Sequence, residues 1–181
     1  VANSLLSQRT LGRDVQLVLQ HTNPHFISTS ITGCRFVRND ARDRYDSEGS
    51  SGTLAILRVL SRTTLLVDSE DRIEASTFAG NLAGYAPALQ WSALAQDDAE
   101  THDEGHQRMR LTLRDVEIAN NAAESGSAVT LSSAIDDAAL AHIERVRFLD
   151  NLADHGFGAL RADSVNLTLR DVRFTSSKPQ L

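Results

Sequence analysis

The chain has 181 residues, 24 acidic side chains against 18 basic ones, and a formal net charge of −6. That balance argues against a general nucleic-acid binder, which needs a basic face to displace counterions from phosphates. A hydrophobic share of 41% is too high for a disordered chain. A single cysteine excludes an internal disulfide framework and a cysteine-based zinc site. No run approaches the roughly 18 apolar residues of a membrane-spanning helix.

In chain order, alternation at Val15, Leu17 and Leu19 predicts a first strand within residues 1–21, preceded by a less regular stretch. No charged-then-apolar leader stands at Val1, and a processed chain would look the same. From residue 22 to 181 the chain reads as one array. Phe36, Asn39 and Ala41 recur as Phe78, Asn81 and Ala83, then as Ile118, Asn121 and Ala123, then as Phe148, Asn151 and Ala153. The last copy is Phe174, with Ser177 in the place of the Asn. Seven or eight residues after the Asn a second small motif is centred, as Pro87-Ala88-Leu89, Ser127-Ala128-Val129 and Gly158-Ala159-Leu160, and in the first copy it is delayed to Gly52-Thr53-Leu54, as if a loop were inserted after Asn39. The hexapeptide Leu111–Val116 returns unchanged as Leu167–Val172, and Ile143–Phe148 is a weaker copy between them. The unit is therefore about 26–30 residues, in the range of solenoid repeats. Two segments interrupt it, at about 40–51 and 96–107, both polar and expected to be surface loops.

Apolar residues alternate within short runs such as Leu111-x-Leu113, Val116-x-Ile118 and Val129-x-Leu131, which is the period of a strand. The phase slips between Leu113 and Val116, so a corner is expected at Arg114-Asp115. Three short strands per repeat describe one coil of a parallel β-helix, an all-β solenoid here of about five to six coils. Stacking places Phe36, Phe78, Ile118, Phe148 and Phe174 in one inward column. Cys34, Ser76, Val116, Val146 and Val172 form the column two residues before it, with Cys34 as an inert buried thiol. Asn39, Asn81, Asn121 and Asn151 form a ladder at a turn. Asn tolerates left-handed backbone, and its amide both donates to and accepts from neighbouring coils.

Phe148-Leu149-Asp150-Asn151 with Gly158-Ala159-Leu160, together with Phe36-Val37-Arg38-Asn39 and Phe78-Ala79-Gly80-Asn81, resembles the repeat of the chlamydial polymorphic outer-membrane proteins and related extracellular repeat proteins. The resemblance covers roughly residues 30–177. It implies a right-handed parallel β-helix on a secreted or surface-exposed chain, often adhesive. The tripeptide departs from the family pattern where Ser127 and Pro87 replace Gly, and the chain shows no sign of the C-terminal membrane barrel of that family.

Parallel β-helices also carry polysaccharide lyases and hydrolases, whose acids and bases sit on the outer face of one sheet. The corresponding outward residues are Asp115, Glu117, Arg145 and Asp171, with Arg147 and Arg173 beside them. Down the stack Asp115, Arg145 and Asp171 alternate in sign and Glu117 faces Arg147, so these charges are expected to pair as a ladder. Asp136 and Asp137 are adjacent and point to opposite faces of a strand. The densest set of potential cation ligands is Asp97, Asp98, His102, Asp103, Glu104 and His106, in a loop without calcium-loop spacing and with Gly105 inside its His-x-x-x-His. No metal site is assigned to it. Asn166-Leu167-Thr168 is a glycosylation sequon with Asn166 expected to point outward. Trp91 and Tyr85 would serve either as a sugar-stacking surface or as packed aromatics beside the Ala88-Leu89 strand.

The expected function is therefore a non-enzymatic structural or adhesive module of a larger extracellular or cell-surface protein or assembly, the chain being part of a longer one. The alternatives are a carbohydrate-active lyase or hydrolase and a carbohydrate-binding module. The expected partners are adjoining segments of the same chain or other subunits, with carbohydrate or cell-surface ligands. No cofactor, nucleic acid or membrane span is implied.

Overall fold

A computed structural model of the chain describes residues 2–7, 10–12, 17–22, 26–41, 53–60, 68–95, 108–134 and 139–177. The insertion at 96–107 lies outside the described residues, as does that at 40–51 apart from Asp40 and Ala41. The described residues hold nineteen strands and no helix. A first pass is made by β1 (Ala2–Ser7), β2 (Thr10–Gly12) and β3 (Leu17–Thr22). The second is β4 (Phe26–Thr32), β5 (Arg35–Val37), β6 (Asp40–Ala41) and β7 (Leu54–Leu60). The third is β8 (Asp68–Glu74), β9 (Thr77–Ala79), β10 (Leu82–Ala83) and β11 (Leu89–Ala95). The fourth is β12 (Arg108–Arg114), β13 (Glu117–Ala119) and β14 (Ala122–Ser133), and the fifth is β15 (Ala139–Glu144), β16 (Arg147–Leu149) and β17 (Leu152–Asp163). β18 (Asn166–Arg170) and β19 (Arg173–Thr175) begin a sixth.

Each pass visits three sheets in the same order. The first sheet runs β1-β4-β8-β12-β15-β18 and the second β2-β5-β9-β13-β16-β19. The third joins β3, β7, β11, β14 and β17, with β6 and β10 beside the start of β14. The strand pairs in all three sheets are parallel. In β14 and β17 the two short strands of earlier passes have fused into one of 12 residues, with a register shift between Gly126 and Ser127.

The corners explain how short strands with such different sequences turn at the same place. Between the first and second sheets the turning residue is Gly33, Ala75, Asp115, Arg145 or Asp171, all with positive φ from 48° to 63°. Left-handed backbone costs a residue other than glycine on the order of 1–2 kcal/mol. Here the strained residue keeps its backbone hydrogen bond, since its N–H donates to the next pass: Ala75 to Arg114, Asp115 to Glu144, and Arg145 to Arg170. The second corner repeats the device one residue before each ladder Asn, at Arg38, Gly80, Asn120 and Asp150. The left-handed conformation is thus taken by the preceding residue, and the ladder Asn serves through its amide.

That amide work is extensive. The Oδ1 of Asn81 accepts from the backbone N–H and the amide of Asn39 at 3.0 and 2.8 Å. Asn121 Oδ1 accepts the same two bonds from Asn81 at 3.0 and 2.9 Å, and Asn151 Oδ1 from Asn121 at 3.1 and 2.9 Å. Each amide also donates to the carbonyl two residues after the preceding pass's corner pair: Asn81 to Phe36, Asn121 to Phe78, and Asn151 to Ile118.

The apolar core lies between the sheets. Phe36, Phe78, Ile118, Phe148 and Phe174 are in register, and all but Phe174 are buried. Phe36 stacks on Phe78 with centroids 4.6 Å apart, and Phe148 on Phe174 at 4.8 Å. Such stacks add about 0.5–1.5 kcal/mol beyond area burial. Phe174 is 53% exposed because no described strand pairs with the outer side of β19. Cys34, Ser76, Val116 and Val146 are buried in their own column, with the Cys34 N–H donating to Ser76 Oγ at 3.1 Å.

One glycine is required by close packing as well as by backbone. Gly126 has φ +86°, and a Cβ there would meet the Tyr85 ring at 2.8 Å and its carbonyl oxygen at 3.0 Å. Gly126→Ala is expected to lower stability by about 1–3 kcal/mol, since the strain cannot relax without moving backbone. Chemical denaturation of the variant checks this.

Candidate functional site

The outward acids and bases gather at the corner between the first and second sheets. Asp115 and Arg145 are in successive corners and form a two-pronged ion pair, Nε to Oδ1 at 2.7 Å and Nη2 to Oδ2 at 2.9 Å. The hydrogen bonds from Arg145, opposed by some desolvation, hold the Asp115 carboxyl below the usual carboxylate range, and the same contact raises Arg145. Glu117 pairs with Arg147, its register partner on β16. Glu144, 8% exposed at the end of β15, pairs with Arg145 and has Arg114 Nε at 3.4 Å and Arg170 Nη1 at 4.0 Å. Asp171 lies 3.8 Å from Arg170 and is not brought to Asp115 or Glu117. Asp115, Glu117, Arg145 and Arg147 therefore line one shallow depression of about 320 Å³ beside Ala75, Ser76 and Thr77, and within it each acid is paired with a guanidinium.

A second surface lies on the outer face of β12, β15 and β18. Arg110, Leu140 and Asn166 form one cross-strand row, and Thr112, His142 and Thr168 form the next. Together they line a shallow trough of about 360 Å³. The nearest acid to His142 is Glu144, with Nε2 and Oε2 3.8 Å apart. Asn166 is exposed, as the alternation predicts, and it shares this trough with Thr168 of its own sequon.

A third cluster is fully buried and was not foreseen from the sequence. Arg58 on β7 and Asp71 on β8 are both 0% exposed and form an ion pair. Arg58 Nη2 also donates to Thr29 Oγ1 at 2.6 Å and its Nη1 to the Leu19 carbonyl at 3.4 Å. Trp91 Nε1 donates to the other Asp71 oxygen at 2.8 Å. Trp91 is 0% exposed, which excludes it from a sugar-stacking surface and makes it a packed aromatic anchored by its indole N–H. The signal in the sequence was a charge inside the apolar run Leu54–Leu60, and an acid at the same strand parity as Ile73.

The loop residues Asp97, Asp98, His102, Asp103, Glu104 and His106 lie outside the described residues, as do Asp136 and Asp137. Among the described residues no three His, Cys, Asp or Glu side chains gather as metal ligands, and no helix is long and apolar enough to cross a membrane. No protein-family profile, curated protein sequence or solved structure matches this chain.

Proposed function

We propose that the three sheets are the faces of a right-handed parallel β-helix, and that the chain is a non-enzymatic structural or adhesive module of a larger extracellular or cell-surface protein or assembly. The observation that carries this reading is the pairing of the outward acids. Acid–base cleavage of a glycosidic bond needs two carboxyl groups about 5–9.5 Å apart facing one bond, one of them protonated. Asp115 instead lies against Arg145, which favours its ionised form, and Glu117 lies against Arg147. Opposite charges paired across strands favour the correct register. The repeat's resemblance to chlamydial-type surface proteins supports the extracellular setting. Adjoining segments of the same chain or other subunits are the partners this reading requires.

Prolonged incubation with polygalacturonate, pectin and neutral glucans tests the non-enzymatic part. The expected result is no new reducing ends and no absorbance from unsaturated uronates. Either product, abolished by Asp115→Asn or Glu117→Gln, would overturn it in favour of a lyase or hydrolase.

A further inference from the structure

We propose that the trough on the outer face of β12, β15 and β18 binds a linear glycan bearing anionic groups. This rests on the adhesive reading above and names the ligand class of such a module. Six outward arginines, Arg72, Arg114, Arg145, Arg147, Arg161 and Arg170, each have a carboxylate within 4.0 Å. Arg35, Arg38, Arg108, Arg110 and Arg173 have none among the described residues, and of these Arg110 lines the trough. The register partner of Arg110 on β8, Glu70, accepts instead from Arg72 at 3.0 and 2.5 Å. The side chains of Thr112, Asn166 and Thr168 likewise have no hydrogen-bond partner among the described residues. What sets Arg110 apart is its setting: in this trough a guanidinium, an amide and two hydroxyls stand unspent side by side.

The arrangement suits a polymer rather than a single small ion. Equivalent positions recur along the stack at about 4.8 Å, and the two rows are about 6.6 Å apart along the strands. Successive sugars lying across the strands would each meet one strand. Leu140, 37% exposed between Arg110 and Asn166, offers an apolar floor to a pyranose face. Asn166 and the two threonines match sugar hydroxyls, and Arg110 presents the planar fork that recognises a carboxylate or sulfate in two-pronged fashion. A nucleic acid is a poorer fit, because the trough has one arginine and only the small His142 imidazole on which a base could stack, with no Phe, Tyr or Trp.

The test is affinity electrophoresis of the chain, made without N-glycosylation so that Asn166 is bare, through gels holding polygalacturonate, dextran sulfate or unmodified dextran. Retardation by polygalacturonate or dextran sulfate, and not by dextran, is expected, and the two anionic arms separate a carboxylate ligand from a sulfated one. Arg110→Ala should weaken that binding at least about tenfold, the usual worth of a charge-assisted hydrogen bond. Arg173→Ala, another exposed arginine outside the trough, should leave it unchanged. No retardation by either anionic polymer, equal retardation by dextran, stronger retardation by single-stranded DNA, or equal losses in the Arg110 and Arg173 variants would each overturn the proposal. Unchanged Trp91 emission in both variants shows that they fold. Cleavage of a polymer would count against the non-enzymatic reading and not against the trough, so the two failures are distinguishable.

Discussion

Asp71→Asn is expected to cost about 3–5 kcal/mol of folding stability, because it leaves the Arg58 guanidinium buried and without its counter-charge. That is a large part of the roughly 5–15 kcal/mol that holds a typical domain together. The effect is not a measure of what the ion pair contributes. Replacing both partners, as in Arg58→Met with Asp71→Leu, removes the two desolvated charges together. This double variant should be less destabilised than Asp71→Leu alone, and its remaining cost comes from the Trp91 indole N–H and Thr29 hydroxyl that lose their partners. Trp91 is the single tryptophan of the chain and touches the altered carboxylate, so its emission follows unfolding in urea from the centre of the affected region. An Asp71→Asn midpoint within about 1 kcal/mol of the parent would mean that the pair is not dry, and would remove the basis of this expectation.

Asn121→Ala should be nearly as damaging, at about 3–5 kcal/mol, since it strands several groups at once. The Asn81 backbone N–H and amide lose their acceptor, and the Phe78 carbonyl loses a donor. Asn81 is fully buried, so water cannot replace these bonds. Asn151→Ala should cost less. Asn151 is only half-buried, and its successor in the ladder is Ser177, whose N–H donates to Asp150 instead. Asn121→Asp separates the two functions of the amide, because a carboxylate still accepts from Asn81 but can no longer donate to Phe78 or Asn151. Equal midpoints for the Ala variants of Asn121 and Asn151 would contradict a ladder whose strength comes from desolvation.

Much of this architecture was legible in the sequence because stacking forces equivalent positions into equivalent environments. The Phe, Asn and small-residue motifs recur since each must meet its own copy one pass away, and the pairings Phe36 with Phe78 and Ser127 with Gly158 follow those motifs directly. The identical hexapeptides, 56 residues apart, lie two passes apart, in offsets of 30 and then 26. The unequal split comes from the longer connection after β14 than after β17. The corner at Asp115 was readable from a slip in apolar phase. β1 and β2 were harder to read because Asn3, Ser4, Ser7 and Gly12 dilute their alternation. The buried Arg58–Asp71 pair broke the rule that charges mark the outside, and only long-range proximity of two strands reveals why both are tolerated. The trough was invisible for a different reason. Outward residues are not bound to repeat, so which of them remain unpaired depends on the partners chosen by their neighbours, as Glu70 chooses Arg72.

The spacing between stacked phenylalanines also bears on how such a chain can change over time. Phe36 and Phe78 are 42 residues apart, whereas Phe148 and Phe174 are only 26 apart, yet both pairs stack in the same geometry. Closing the longer interval costs only about 0.4 kcal/mol more in chain entropy. Added length can therefore accumulate at the rim of a pass without renegotiating any contact inside it. New surface segments become nearly neutral events, and the array is a ready substrate for acquiring them.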